Sequence, residues 1–394
     1  MRHFSLIHAL GGKLLTDDLE WRPRLRESVI VQTDGSTLLF LCTADRTVKR
    51  FTADDFVVQV VTLLDGSRTV AEIERLARGG VANGTERVRE ALGEADGREL
   101  VREVLGVLAA ENILSKAQEP AFAGLGAGRA DFYDRQLRLL QDFCDEGLTP
   151  ERSGVGLQRR LDAATAVVLG IGGLGGWVAL SLAGAGVGRI RICDFDRVEA
   201  SNLTRQVLFG VGDVGAPKVD AAATRLRSHN SYVEVTAVNR RITGPDDLAD
   251  LVDGADVVIN AADQPTANDV ADWVAAACWP RVPHIMGTGY AYHIGVLGTS
   301  IIPGRTACWA CVRAETFADH GRHRMESLVG KREKAGAMGA LCGLVGNVLA
   351  WEAIRIITGL PPALGDRWSE IDFWPLEIQS RAIPKRPDCP VCGP

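Results

Sequence analysis

The residues best suited to act on phosphate are Asn202, Arg205 and Gln206 in Ser201-Asn202-Leu203-Thr204-Arg205-Gln206, and Lys218 in Gly215-Ala216-Pro217-Lys218-Val219. Fixed guanidinium and ammonium groups stabilise the charge that spreads over phosphoryl oxygens when a carboxylate attacks the α-phosphate of ATP and pyrophosphate leaves. Just before them lies a run that can seat a nucleotide. Ala166-Val167-Val168-Leu169 is apolar, Gly170-Ile171-Gly172-Gly173-Leu174-Gly175-Gly176 is glycine-rich, and Trp177 to Ala185 is helix-forming. Strand, glycine loop and helix in that order aim backbone N–H groups and a helix N-terminus at an anion. Gly170, Gly172, Gly173, Leu174 and Gly175 are therefore the expected phosphate cradle. A second apolar run, Arg189 to Cys193, ends in Asp194-Phe195-Asp196, where carboxylates meet ribose hydroxyls. That much suits a dehydrogenase equally well; Asn202, Arg205 and Lys218 separate the two, because hydride transfer builds no charge at the phosphates.

Two further groups carry chemistry. The apolar run Ala255 to Ala261 delivers Asp263, a carboxylate at a strand's C-terminal end that suits Mg²⁺ beside ATP. Cys308-Trp309-Ala310-Cys311 and Cys389-Pro390-Val391-Cys392 are two Cys-x-x-Cys knuckles far apart in sequence. Together they supply the four thiolates of a closed, structural zinc site that ties the C-terminal tail to its domain; redox pairs are the alternative.

Strand, glycines, paired aspartates, Asn-x-x-Arg-Gln and Pro-Lys-Val, in this order, resemble the ATP site of the ubiquitin-activating-enzyme-like superfamily of ThiF, MoeB and HesA proteins. The resemblance implies ATP as substrate, with Asn202, Arg205, Lys218, Asp263 and Arg135 as the catalytic set. Asp131-Phe132-Tyr133-Asp134-Arg135-Gln136 resembles the Tyr-x-Arg-Gln opening of that fold, whose arginine reaches the phosphates of a partner subunit. Arg135 supplied in trans, and a homodimer, follow from it. In the superfamily the polar, basic stretch Arg313 to Gly336 is a crossover loop, often carrying a cysteine that forms a thioester or persulfide; this one has none, and Cys342 beyond it reads as buried packing. Pro283 to Tyr290 resembles the strand and loop lining the carboxylate's channel. His284, Tyr290, Tyr292 and His293 lie there, and none is assigned catalysis, since the attacking carboxylate is already ionised at neutral pH.

The elements that position these residues divide the 394-residue chain into domains. Helix-like and strand-like runs alternate beyond residue 131, which predicts a doubly wound, mainly parallel, Rossmann-like α/β sheet with helices on both faces. Ahead of it, Ser28 to Gln32, Thr37 to Cys42 and Thr47 to Phe51 read as a three-stranded meander. Phe56 to Leu64 after a Thr52–Asp55 capping box, a helix begun by Thr69 and Glu72, and Glu99 to Leu114 supply helices, a small α+β, winged-helix-like β3α3 pattern. Residues 1–118 form this domain, 119–130 a Pro- and Gly-containing linker, and 131–394 the adenylation domain. The first domain resembles the PqqD-like precursor-peptide recognition fold, in the strand-turn-strand around Asp34-Gly35 and in Leu64 to Ile73. The resemblance implies a leader peptide added as a strand at the edge Thr47 to Phe51, against the last helix. A winged or dimerisation domain without a peptide ligand is the alternative.

The formal charge of −6, with both signs mixed, offers no nucleic-acid or membrane footprint. No run reads as a signal h-region or a membrane span, and nine scattered cysteines suit a reducing compartment, so the cytoplasm is the expected location. The whole resembles the microcin C7 type of biosynthetic enzyme. ATP- and Mg²⁺-dependent adenylation of a carboxyl group on a ribosomally made precursor peptide is the leading expectation. Adenylation of the C-terminal Gly-Gly of a sulfur-carrier protein, and a non-catalytic leader-binding scaffold, are the alternatives.

Overall fold

The structure is a computed structural model describing residues 2–3, 18–82, 97–115, 124–287, 289–316 and 336–393. It separates into two units, Met1–Leu157 and Gln158–Pro394.

In the first unit, β2 (Val29–Thr33), β3 (Thr37–Cys42) and β4 (Thr47–Thr52) form an antiparallel meander. Asp34 makes its first turn: Oδ1 accepts from the backbone N–H groups of Ser36 at 2.9 Å and Thr37 at 2.8 Å, while Gly35 takes a φ of +91°. Alternation along β3 sends Leu38, Phe40 and Cys42 inward. Leu38 and Phe40 share a core with α1 (Asp55–Thr62), α2 (Val70–Ala82) and α3 (Gly97–Ala110), the last burying Val101, Val104, Leu105 and Leu108. The cap of α1 differs from the expected Thr52–Asp55 box. Asp54 is the N-cap, accepting from Val57 N at 2.9 Å, since helix begins one residue before the apolar run. Thr69 and Glu72 do form a reciprocal capping box at α2. The short β1 (Arg2–His3) runs parallel to β4 opposite Phe51 and Thr52, leaving Thr47 to Arg50 without a strand on that side among the described residues.

The expected linker is in part helical: α4 (Ala127–Phe132) begins within it, and α5 (Asp134–Asp145) follows. Both pack in the first unit. Arg26, 4 % exposed, bonds Asp142 at 2.6 Å and Glu146 at 2.5 Å on and after α5, and Tyr133, Leu137 and Val155 make a small apolar cluster. Helix α6 (Gly154–Ala163) leads into the second unit.

There, β5 (Thr165–Leu169), β6 (Arg189–Cys193), β7 (Glu234–Val238), β8 (Val257–Asn260) and β9 (His284–Met286) are parallel, in the order β7-β6-β5-β8-β9. Antiparallel strands extend the sheet beyond β9: β10 (Gly289–Ala291), β11 (Ile294–Ile301), β12 (Arg367–Asp372) and β13 (Glu377–Ala382). The helices are α7 (Gly173–Ala185), α8 (Lys218–His229), α9 (Ala249–Val252), α10 (Ala267–Cys278), α11 (Trp309–Thr316) and α12 (Gly339–Thr358). Strand order reverses between β5 and β8, and ligands of such sheets sit at the strand ends beside that reversal. All five β5 residues are buried, as a strand covered on both faces requires.

Among the described residues, α12 alone has the length and apolarity to cross a bilayer, against the expectation that no run would. Its packing is that of a core helix. Gly343 and Gly346 face Trp177 of α7, and the buried Glu352 accepts from Ser300 Oγ at 2.6 Å, Ala363 N at 2.8 Å and Leu364 N at 3.0 Å.

Candidate active site and metal centre

The glycine loop bridges the C-terminal end of β5 and the start of α7. Gly170 has a φ of +82°, and a β-carbon there would lie 2.7 Å from the Ala261 carbonyl oxygen; at Gly175 one would lie 1.8 Å from the Gly170 carbonyl oxygen. The loop can hold this fold only with bare backbone at both positions. Gly172 is the N-cap of α7, contributes no side-chain cap, and so leaves the helix's first N–H groups open to an anion. The cradle therefore has the shape a nucleotide phosphate needs.

Asp194 fixes that loop to the end of β6. Its Oδ2 accepts from Ile171 N at 2.7 Å and its Oδ1 from Asp196 N at 2.8 Å. Each oxygen keeps a second lone pair for a ribose hydroxyl. Asp196 in turn grips Lys218 twice: the backbone carbonyl accepts Lys218 N at 2.9 Å, and Oδ2 meets Nζ at 2.9 Å. Lys218 is the first residue of α8 and 6 % exposed, so its ammonium is held at the strand ends rather than in bulk water.

The Asn202–Gln206 turn is held by its own backbone. Asn202 Oδ1 accepts from Glu199 N at 3.0 Å, leaving the amide nitrogen to donate elsewhere; Arg205 Nη1 donates to Ser201 O at 2.8 Å. A β-carbon on Gly173 would lie 3.7 Å from Arg205 Cγ and Cδ, and one on Gly172 would lie 3.8 Å from Gln206 Nε2. Gly172, Gly173, Arg205 and Gln206 are thus brought together. Gln206 is 4 % exposed and its Oε1 has no partner, an acceptor left over in the protein.

Asp263 is exposed three residues beyond the C-terminal end of β8. One carboxylate at that edge matches the way Mg²⁺ is held when phosphates supply most of its other ligands. Arg135 is exposed on α5, in the first unit. His284 is fully buried in β9, with Nδ1 2.8 Å from Val282 O and Nε2 unpaired; burial pushes its imidazole down to about 4. That is a core histidine. Tyr292 is exposed at a φ of +57°; the side chain of Tyr290 and most of the crossover stretch, 317–335, lie outside the described residues.

Two neighbours of the site escaped the sequence reading. Arg241 lays its guanidinium 3.7 Å from the Phe195 ring centroid, between the two aspartates in sequence, and nothing in the local pattern pairs them. Asn260, fully buried at the end of β8, uses Oδ1 for Ala262 N at 3.2 Å and leaves Nδ2 unpaired. A polar residue closing Val257-Val258-Ile259 was the available signal.

The cysteine knuckles converge. Cys308 and Cys389 Sγ are 3.5 Å apart, Cys311 and Cys392 3.6 Å, Cys308 and Cys311 3.9 Å, and all four sulfurs lie within 4.8 Å of one another. A tetrahedron with ~2.3 Å Zn–S arms has edges of about 3.8 Å, so the set is compatible with zinc. Arg386 N reaches Cys311 Sγ at 3.4 Å, a backbone donor for a thiolate.

Residues 133–391 match the ThiF family. A sulfur carrier protein adenylyltransferase of Thermus thermophilus is 33 % identical over 267 residues, covering 67 % of this chain and 90 % of that protein. The sulfur carrier protein ThiS adenylyltransferase of Escherichia coli is 30 % identical, covering 66 % and 94 %. Among solved structures, E. coli MccB with AMPCPP and selenomethionine MccA superposes with a TM-score of 0.68 at 22 % identity, covering 94 % of this chain and 99 % of that one. MccB with ATP gives 0.67 at 23 % identity, with the same coverage.

Proposed function

The chain belongs to the ThiF family and is an adenylyltransferase, and from that premise we propose that it uses ATP and Mg²⁺ to adenylate a carboxyl group of a ribosomally synthesised precursor peptide. The observation that carries this reading is the N-terminal unit. The two curated relatives named above cover about two thirds of the chain, whereas the likeness to MccB, solved with its peptide MccA, extends over 94 % of it. Residues 1–118 would hold the peptide, with β4 offering an edge from Thr47 to Arg50 that has no neighbouring strand among the described residues.

In this reading one peptide carboxylate oxygen attacks the α-phosphorus of ATP, the bond to the bridging oxygen breaks, and pyrophosphate departs with the electron pair. Gly172 to Gly175 receive the phosphates on backbone N–H groups, those of Gly170 and Ile171 being held by Cys193 O and Asp194, and Asp194 and Asp196 face the ribose. Lys218 and Arg205 neutralise charge that grows on the α-phosphate and the leaving group, while Asn202 and Gln206 add neutral hydrogen bonds. Asp263 would hold Mg²⁺, whose charge assists the departure of pyrophosphate. Arg135 would act on the phosphates of a partner subunit in a homodimer. Cys308, Cys311, Cys389 and Cys392 would hold a structural zinc, with no open position for substrate.

A second reading draws on the names of the curated relatives: adenylation of the C-terminal Gly-Gly of a sulfur-carrier protein. ATP–pyrophosphate exchange by the purified chain, scanned over precursor peptides and Gly-Gly carriers, distinguishes the two. Exchange driven by a peptide is expected; exchange driven only by a carrier refutes the peptide reading, and absence of exchange with either favours the non-catalytic scaffold.

A further inference from the structure

The first turns of α12 touch the phosphate site from behind. A β-carbon added at Gly339 would lie 2.9 Å from the Thr204 carbonyl oxygen and 3.4 Å from Arg205 Cα. One added at Gly173 would meet Cys342 Sγ at 2.8 Å and Arg205 Cγ and Cδ at 3.7 Å. Arg205 therefore has its Cα against Gly339 and its side chain against Gly173, while Cys342 backs Gly173 from the next turn of the same helix. Farther along, Gly343 and Gly346 pack on Trp177, at 3.3 Å from its ring and 2.7 Å from its Cβ by the same measure, which fixes α12 on α7. A separate feature marks the place as a ligand site: Gln206 is 4 % exposed, lies beside Gly172, and has Oε1 unpaired.

We infer that Gly339 and Cys342 are positioning residues, which set the reach of Arg205 and the height of the glycine loop and through them the binding and transfer of ATP. The inference rests on the reading of this loop as the ATP site. Gly339 presents only backbone and Cys342 is 1 % exposed, so both would act through the loop and Arg205. Gly339 admits the Thr204–Arg205 backbone to contact distance, and Cys342 fills the space under Gly173 without lifting it. A group displaced by about 1 Å from its productive position can cost on the order of 100-fold in rate, and a β-carbon 2.9 Å from a carbonyl oxygen demands a shift of a few tenths of an ångström or more.

The test compares Gly339→Ala, Cys342→Leu and Gly343→Ala in the full chain. Gly343→Ala crowds Trp177 within the same helix pair without reaching Arg205 or the loop, so it reports packing alone. The ATP dissociation constant, measured by direct titration, is read beside kcat and KM of pyrophosphate exchange and the Tm. Gly339→Ala and Cys342→Leu should weaken ATP about 10-fold and lower exchange kcat by about 10- to 100-fold, with Cys342→Ser recovering most of the loss seen in Cys342→Leu. Gly343→Ala should lower Tm and leave ATP affinity within about twofold. Unchanged ATP parameters at 339 and 342, or an equal loss at 343, would overturn the inference while leaving the proposed function standing. A folded parent chain that binds no ATP would remove both.

Discussion

Removing one thiolate from the cysteine cluster should release the C-terminal tail. Cys308 and Cys389 are 81 residues apart in sequence and their sulfurs 3.5 Å apart in space, so a metal that joins them closes a loop of that length. Treated like any cross-link, a loop of about 80 residues restricts the unfolded chain by roughly 4–5 kcal/mol. Metal–thiolate affinity itself is larger, about 10–16 kcal/mol in isolated zinc-binding peptides at neutral pH. Either figure is comparable to the whole stability of a domain, about 5–15 kcal/mol. Burial pushes the Cys308 thiol up to about 12 when no cation is present, so a metal-free cluster keeps that thiol protonated. Metal analysis should find about one zinc per chain, and Cys389→Ser or a strong chelator should lower Tm by ten degrees or more, with the tail becoming protease-sensitive before the sheet does. A metal-free protein with an unchanged Tm and a protected tail would refute the reasoning.

Lys218→Ala and Asp263→Ala should each lower pyrophosphate exchange by at least about 100-fold with little change in Tm; exchange near the parent level in either variant would remove that residue from the proposed set. Mixing inactive Arg135→Ala and Lys218→Ala chains should restore part of the activity if Arg135 acts across a dimer, and mixtures as dead as their components would exclude it. His284, neutral in the fold, makes stability depend on pH. Below about 6.5 the unfolded chain binds a proton that the fold refuses until about pH 4, so stability should fall through that window by up to about 3 kcal/mol. Denaturant titrations at several pH values should show the slope in the parent and a flatter one in His284→Gln; equal slopes would refute the assignment. Arg26→Met leaves Asp142 and Glu146, both reached by water, without their partner and should cost about 1–3 kcal/mol, read as a lower denaturation midpoint.

The mainly parallel α/β sheet was legible because most of its parallel strands are short apolar runs that alternate with helices. The glycine loop was legible because close approach of backbone to backbone, as at Gly175, leaves no other residue possible. The cysteine cluster was legible from its spacing. What could not be read is contact between segments distant in sequence. Gly339 and Cys342 lie more than 130 positions beyond Arg205, and nothing in Gly339-Ala340-Leu341-Cys342 announces the loop it supports. The grouping of α5 with the N-terminal unit was likewise hidden, since it depends on Arg26 finding Asp142 and Glu146. Asp54, rather than Thr52, caps α1 because both positions offer a capping oxygen and only the backbone's entry into the helix chooses between them.

Glu352 has a consequence for how the chain is made. When α12 leaves the ribosome it is a 20-residue apolar segment, and two of the three donors that later satisfy its carboxylate, Ala363 N and Leu364 N, follow it in the chain and emerge after it. For that interval the segment resembles something destined for a lipid bilayer. A carboxylate inside such a helix opposes insertion, by about 2.5–3.5 kcal/mol at the centre on translocon scales and by less toward the end. The residue that later joins α12 to β11 and the following turn thus also biases the nascent segment toward waiting in water for the rest of its sheet.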